Sequence, residues 1–247
     1  MSEDTPSLTK DEDLDPTVAR TPTVLILDTS GSMDWDIDGM DKSRIDFLND
    51  GQEYFKDEIE NNNHAAVRVD IGVVTFGSGV TVDQEMINIE DWEPTELKPS
   101  GRTPMGEAID EGLQLLEERK DEYKNDALPY NRPLVWLLTD GEPTDMEVGD
   151  QTWDKVQNLI DVGTDDKHFL FFAVGVGDDA NMDKLNKLTS VVGKGQGKTF
   201  PLEEGMFDEF FRIVSETSQK ASEQDSEAED VAEEVEEVAS QVDANSA

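Results

Sequence analysis

Twice in this chain a short, unbroken apolar run ends at an aspartate: Thr23-Val24-Leu25-Ile26-Leu27 before Asp28, and Pro133 to Thr139 before Asp140. A run of that length without polar alternation predicts a strand covered on both faces, because a strand with one wet face alternates. Amphipathic segments follow each run. Ile45, Leu48, Gln52, Phe55 and Ile59 recur at spacings of 3, 4, 3 and 4, one face of a helix that Asn61-Asn62-Asn63 ends. Val67 to Phe76 reads as a strand, and Gly77-Ser78-Gly79 turns it into Val80–Ile89, a hairpin partner at the sheet edge. Pro104 opens a second helix with Met105, Ile109, Gly112, Leu113 and Leu116 on one side, since proline loses nothing in a first helical turn. Trp153, Val156, Leu159 and Ile160 mark a helix, Phe169–Val176 a strand, and Met182, Leu185 and Leu188 a short helix. A short strand near Thr199-Phe200 precedes a last helix carrying Phe207, Phe210, Phe211 and Val214. This order predicts an α/β fold: a Rossmann-like, doubly wound, mainly parallel sheet with helices on both faces. Ligands of such sheets bind beyond the carboxyl ends of the strands, at the topological switch point, and Asp28 and Asp140 both fall at strand ends.

Composition bounds the rest. Residues 1–20 hold six acids and two bases with no apolar run, and residues 221–247 hold ten acids and no Lys or Arg. Both are expected to be disordered, leaving one domain over residues 21–220. The whole chain carries −39; without its ends, 43 acids stand against 18 bases, a net of −25. Such a surface repels nucleic acid and anionic membranes, whose binding needs Lys and Arg, so neither is an expected partner. It also repels itself, and at about 1 M salt the screening length falls to about 3 Å, which removes most of that repulsion. A halophilic cytoplasm is the expected setting. The chain has no cysteine, which excludes disulfides, thiolate metal sites and thiol nucleophiles. The acidic N-terminus lacks a secretory pattern, and the apolar runs are far short of the roughly 20 residues that span a bilayer. A cytoplasmic protein is expected.

Asp28-Thr29-Ser30-Gly31-Ser32 sets a carboxylate and two hydroxyls at alternate positions as the chain leaves a strand. Gly31 leaves the backbone room to bend, so the three oxygens can face one point. Oxygen-only donors suit a hard cation such as Mg²⁺, though a polar turn capping the next helix uses the same residues. Two further segments bear on the choice: Ser100-Gly101-Arg102-Thr103-Pro104, and Thr139-Asp140-Gly141-Glu142-Pro143-Thr144-Asp145. Thr103 alone fits a helix N-cap and Asp140-Gly141 a turn. Together the three segments follow the order strand end, helix start, strand end.

That ordered set resembles the metal-ion-dependent adhesion site of von Willebrand factor A (VWA) domains, whose pattern is Asp-x-Ser-x-Ser, then a Thr, then an Asp. The resemblance covers roughly residues 21–218. Within the family it looks closest to the TerY-like, tellurium-resistance-associated branch, on LDTSGSM at 27–33, SGRTPMGEAI at 100–109, LLTDGEPTD at 137–145 and FAVGVGDDA at 172–180. The resemblance implies a divalent cation, Mg²⁺ with Mn²⁺ or Ca²⁺ as alternatives, on Asp28, Ser30, Ser32, Thr103 and Asp140. It implies direct ligation by Ser30 and Ser32, direct or water-mediated ligation by Thr103, and action through water and hydrogen bonds by Asp28 and Asp140. It further implies a protein partner that offers an Asp or Glu carboxylate to the ion, and an interaction module rather than an enzyme. The rival reading is a Mg²⁺-dependent hydrolase that uses Glu142 and Asp145 near the ion.

Three other patterns carry weaker expectations. Asp34-Trp35-Asp36-Ile37-Asp38-Gly39 matches the first half of an EF-hand loop, but Ile45 stands where the bidentate Glu belongs, so a solvated acidic loop is expected over a second Ca²⁺ site. Gly193 to Thr199 resembles a phosphate-binding loop, yet Val192 replaces its first glycine and Phe200-Pro201 follows in place of a helix. Val231, Val235, Val238 and Val242 form a narrow stripe of two heptads, too short for a stable helix alone. His64 and His168 each precede a strand, at the end of the sheet away from Asp28 and Asp140.

Overall fold

The first strand, β1 (Thr21–Asp28), is buried at every position, as its unbroken apolar run requires. The computed structural model describes residues 18–37, 39–189 and 197–223. After β1 come α1 (Arg44–Glu60), the short α2 (Asn63–Ala66), β2 (Val69–Phe76) and β3 (Val80–Asn88). Then follow α3 (Met105–Asn125), β4 (Leu134–Thr139), α4 (Gln151–Asp165), β5 (Leu170–Val176), α5 (Met182–Thr189), β6 (Gly197–Leu202) and α6 (Phe207–Ser222). The six strands form one sheet in the order β3-β2-β1-β4-β5-β6. All neighbours are parallel except the β2–β3 hairpin, which closes one edge. This is the doubly wound α/β architecture that the element order predicts.

Period-two alternation splits the core into two layers. Leu25 and Leu27 of β1, with Trp136 and Leu138 of β4, pack toward α1 and α6, where Leu48, Phe55, Phe207, Phe210 and Phe211 meet them. Val24, Ile26, Val135 and Leu137 point the other way, onto Ile109 and Leu116 of α3 and onto Trp153, Val156 and Ile160 of α4. Helix α1 starts with a capping box: Asp46 accepts from the Ser43 N–H at 2.9 Å and from its hydroxyl at 2.8 Å.

Helix α3 runs about two turns past the apolar stripe, which ends at Leu116. Its extra length buries Arg119 and Tyr123, both bonded to Asp70 of β2, which is itself fully buried. Arg20 completes the cluster through an ion pair with Asp70. Arg20 therefore belongs to the folded part, and so does Ser222, which ends α6.

Several expectations fall outside the described residues: nearly all of both acidic ends, including the valine stripe, together with Asp38 and residues 193–196. The described remainder of the phosphate-loop look-alike, Gly197 to Thr199, lies in β6. Among the described residues, no helix is long and apolar enough to cross a membrane.

Candidate metal centre

The helices after β1 and after β4 lie on opposite faces, so the gap between β1 and β4 is the switch point of the sheet. Register places Leu27 beside Leu138, so the next residues, Asp28 and Thr139, leave the sheet side by side. Asp28 is fully buried. One of its oxygens accepts the Ser30 N–H at 2.8 Å, and the other accepts the Thr139 hydroxyl at 2.6 Å. The Ser30 and Ser32 hydroxyls lie 3.1 Å apart, and Ser32 donates to Asp140 Oδ1 at 2.8 Å. Four of the five candidate residues thus form one connected set of oxygens.

Thr103, on the loop before α3, comes beside the segment that follows Asp140. Its N–H donates to the Thr144 hydroxyl at 3.2 Å, and its carbonyl accepts the Thr144 N–H at 2.9 Å. A methyl group added to Gly141 would lie 3.8 Å from the Thr103 hydroxyl. Backbone bonds stitch the loops together: Ser100 N–H to Thr29 O at 2.7 Å, Arg102 N–H to Gly77 O at 3.0 Å, and Gly31 N–H to Gly101 O at 3.3 Å. Gly101 stands at φ +80°, where a side chain is strained, and a Cβ there would meet the Gly77 carbonyl carbon at 2.6 Å.

Arg44 is the residue the sequence did not disclose. From the first turn of α1 its buried guanidinium donates to Asp140 Oδ2 at 2.6 Å. The same group holds Asp179 at 3.1 Å and pairs with Glu204, tying the site to the loops after β5 and β6. Thr139 is a second such residue, since its hydroxyl orients Asp28. Neither carries a local signal, because both act through partners about a hundred positions away.

The charges divide unevenly. Asp140 has a cationic partner, whereas Asp28 has only neutral donors. Burial pushes the Asp28 carboxyl up to about 6; the Thr139 bond opposes this, nearby Asp140 adds to it, and the Ser30 bonds oppose it again. A buried carboxylate without a full countercharge, beside two serine hydroxyls and a threonine, is a donor set that fits a hard divalent cation. Among the described residues, no three His or acidic side chains converge on a metal-binding point. Asp34 and Asp36, from the EF-hand look-alike, are exposed.

The acids that hydrolysis would call on have other work. Glu142 accepts from Asn181 at 2.7 Å and from Lys184 at 3.1 Å, and Asp145 accepts the N–H groups of Gly106 and Glu107 at 3.1 and 2.8 Å, capping α3. His64 lies in α2 and reaches the Ser222 carbonyl at 2.9 Å; His168 is exposed just before β5. Both sit at the amino ends of strands, away from Asp28.

Among solved structures, the VWA domain of SpRpn10 superposes with a TM-score of 0.56 at 13% identity, covering 80% of this chain and 96% of that one. The ArnB paralog VWA2 from Sulfolobus acidocaldarius gives 0.53 at 18% identity, over 81% of this chain and 46% of that one. An aerotolerance-related membrane protein from Bacteroides fragilis gives 0.52 at 13% identity, over 81% and 99%. At these identities the likeness is one of fold. No curated protein matches the chain. The von Willebrand factor type A domain family matches residues 23–211, well over half of the chain. With that match on the sheet order and loop positions described above, the chain belongs to the von Willebrand factor type A domain family, whose members commonly serve as protein-interaction modules.

Proposed function

We propose that this domain binds a protein partner through one divalent cation, Mg²⁺ by preference and Mn²⁺ or Ca²⁺ as alternatives. Ser30 and Ser32 ligate it, Thr103 does so directly or through water, and Asp28 and Asp140 support it through water and hydrogen bonds. The convergence of Asp28, Ser30, Ser32 and Asp140 at the switch point carries this reading. Hydroxyl ligands leave most of the ion's charge uncancelled, so its open position supplies an electrophilic seat for an Asp or Glu carboxylate of the partner. Arg44 holds Asp140 in place and offsets its charge, which keeps the loaded site attractive to an anion.

The setting we propose is the cytoplasm of a halophile, in a TerY-like stress or tellurium-resistance system; the surface charge and the wording of the three loops support it. Catalysis draws no specific support, given the bonds that occupy Glu142 and Asp145.

Calorimetry with MgCl₂ on the wild type, Asp28→Ala and Ser30→Ala tests the site. Binding heat lost in both variants is expected; unchanged heats remove these residues from it. A pull-down in molar KCl with and without EDTA tests partner capture, which should fail when the ion is removed.

A further inference from the structure

Trp35 is 56% exposed and Met40 45% exposed, and both lie in the loop between Ser32 and α1. They are two of the five large apolar side chains left exposed among the described residues. Trp35 is not loose. Its N–H donates to the Ser32 carbonyl at 3.0 Å, and its carbonyl accepts the Arg44 N–H at 3.1 Å. The Arg44 guanidinium sits 5.4 Å from its ring centre, a cation–π contact. That guanidinium is the one that holds Asp140, so the ring stands one residue away from the candidate metal centre. Met40 is braced against the loop before α6, where a Cβ on Gly205 would lie 2.7 Å from its methyl carbon. A pre-fixed indole loses little freedom on docking, and a thioether adapts to varied apolar shapes.

The surroundings are acidic. Asp34 and Asp36 flank Trp35 and are exposed, as are Asp41 and Asp179. A run of acids approaching the ion would meet like charge, whereas a single carboxylate between basic residues would not.

We infer that Trp35 and Met40 form an apolar platform beside the metal centre. The fitting partner is a segment with one carboxylate next to an apolar side chain, flanked by Lys or Arg. This rests on the metal-dependent reading above, and the two fail separately in the following test. The probe is a synthetic nine-residue peptide with one aspartate next to phenylalanine and lysines on both flanks. Its controls replace the aspartate with asparagine, the phenylalanine with serine, or the lysines with glutamates. Binding is read by fluorescence anisotropy with MgCl₂ or EDTA in about 0.15 M KCl, where the flanking charges still act across about 8 Å. Protection of Trp35 from acrylamide reports the contact directly, because Trp92, Trp136 and Trp153 are buried.

Trp35→Ser is expected to weaken the lysine-flanked peptide about tenfold, an ordinary loss for an aromatic anchor, while Mg²⁺ calorimetry stays unchanged. Trp35→Phe should recover most of it. Removing the peptide's phenylalanine should cost a similar factor, and the two losses should not add. Wild-type binding by Trp35→Ser, equal binding of the glutamate-flanked peptide, or no peptide binding at all overturns the platform. Trp35-dependent binding that persists in EDTA keeps the platform and sinks the metal-dependent reading.

Discussion

Lowering the pH from 7.5 to 5 should weaken Mg²⁺ binding about tenfold, because the ion and a proton compete for the charge of one buried carboxylate. Burial holds the Asp28 carboxyl at about 6 in place of the ordinary 3.8. Competition multiplies the apparent Kd by one plus the ratio of protonated to ionised Asp28: close to 1 at pH 7.5, about 2 at pH 6 and about 11 at pH 5. An ordinary aspartate would give less than about 1.1 at pH 5 by the same relation. The sign is opposite for the ion-free fold. With a folded value raised above the unfolded one, Asp28 favours the fold when protonated, so its share of stability declines as the pH rises from about 4 to 6, by about 3 kcal/mol. The assay is calorimetry at pH 7.5, 6 and 5 in constant KCl, repeated in two buffers of different ionisation enthalpy. At pH 6 about half a proton should leave for each ion bound. Asp28→Asn should bind weakly with no such dependence. A Kd constant within twofold from pH 7.5 to 5, with no proton release, would refute the assignment of Asp28 to the ion.

Three further outcomes are expected. Asp70→Asn breaks the buried pairs with Arg20 and Arg119 and should cost about 3–5 kcal/mol, read as a clearly lower Tm, while Mg²⁺ binding at the opposite end of the sheet persists. Burial works against the Asp70 charge, but Arg20 and Arg119 outweigh it and hold the carboxyl below the usual range, so its contribution is lost only as strong acid protonates it. Gly101→Ala forces a side chain into a left-handed position against the Gly77 backbone, and a cost of about 1–3 kcal/mol should appear in thermal melts together with weaker Mg²⁺ binding. Raising KCl from 0.1 M to 3 M should raise the Tm, as screening removes the repulsion of a −39 chain, and an unchanged Tm would count against the halophilic setting.

The central strands were legible because burial on both faces leaves no room for polar residues, so β1 and β4 announce themselves as uninterrupted apolar runs. Asp28 and Asp140 were legible for a related reason: each is the first charge after such a run. The far end of α3 was not. Past Leu116 its buried face is built from Arg119 and Tyr123, polar side chains that are stable inside only because Asp70 receives them. No periodicity of apolar residues reports that. Arg44 was hidden in the same way. In the sequence it is a basic residue at a helix start, where the macrodipole makes a cation unwelcome, and only the fold reveals the three carboxylates that offset this.

Ser32 bonds to Asp140 across 108 positions of chain, and Thr139 to Asp28 across 111. A ribosome must therefore deliver the whole of β4 before this cluster of oxygens exists in any form, and β4 must dock against β1 before they meet. Contacts of such sequence separation form late in folding. An ion held here cannot seed the structure. It can only lock a finished one, so it should slow unfolding while leaving the rate of folding nearly untouched.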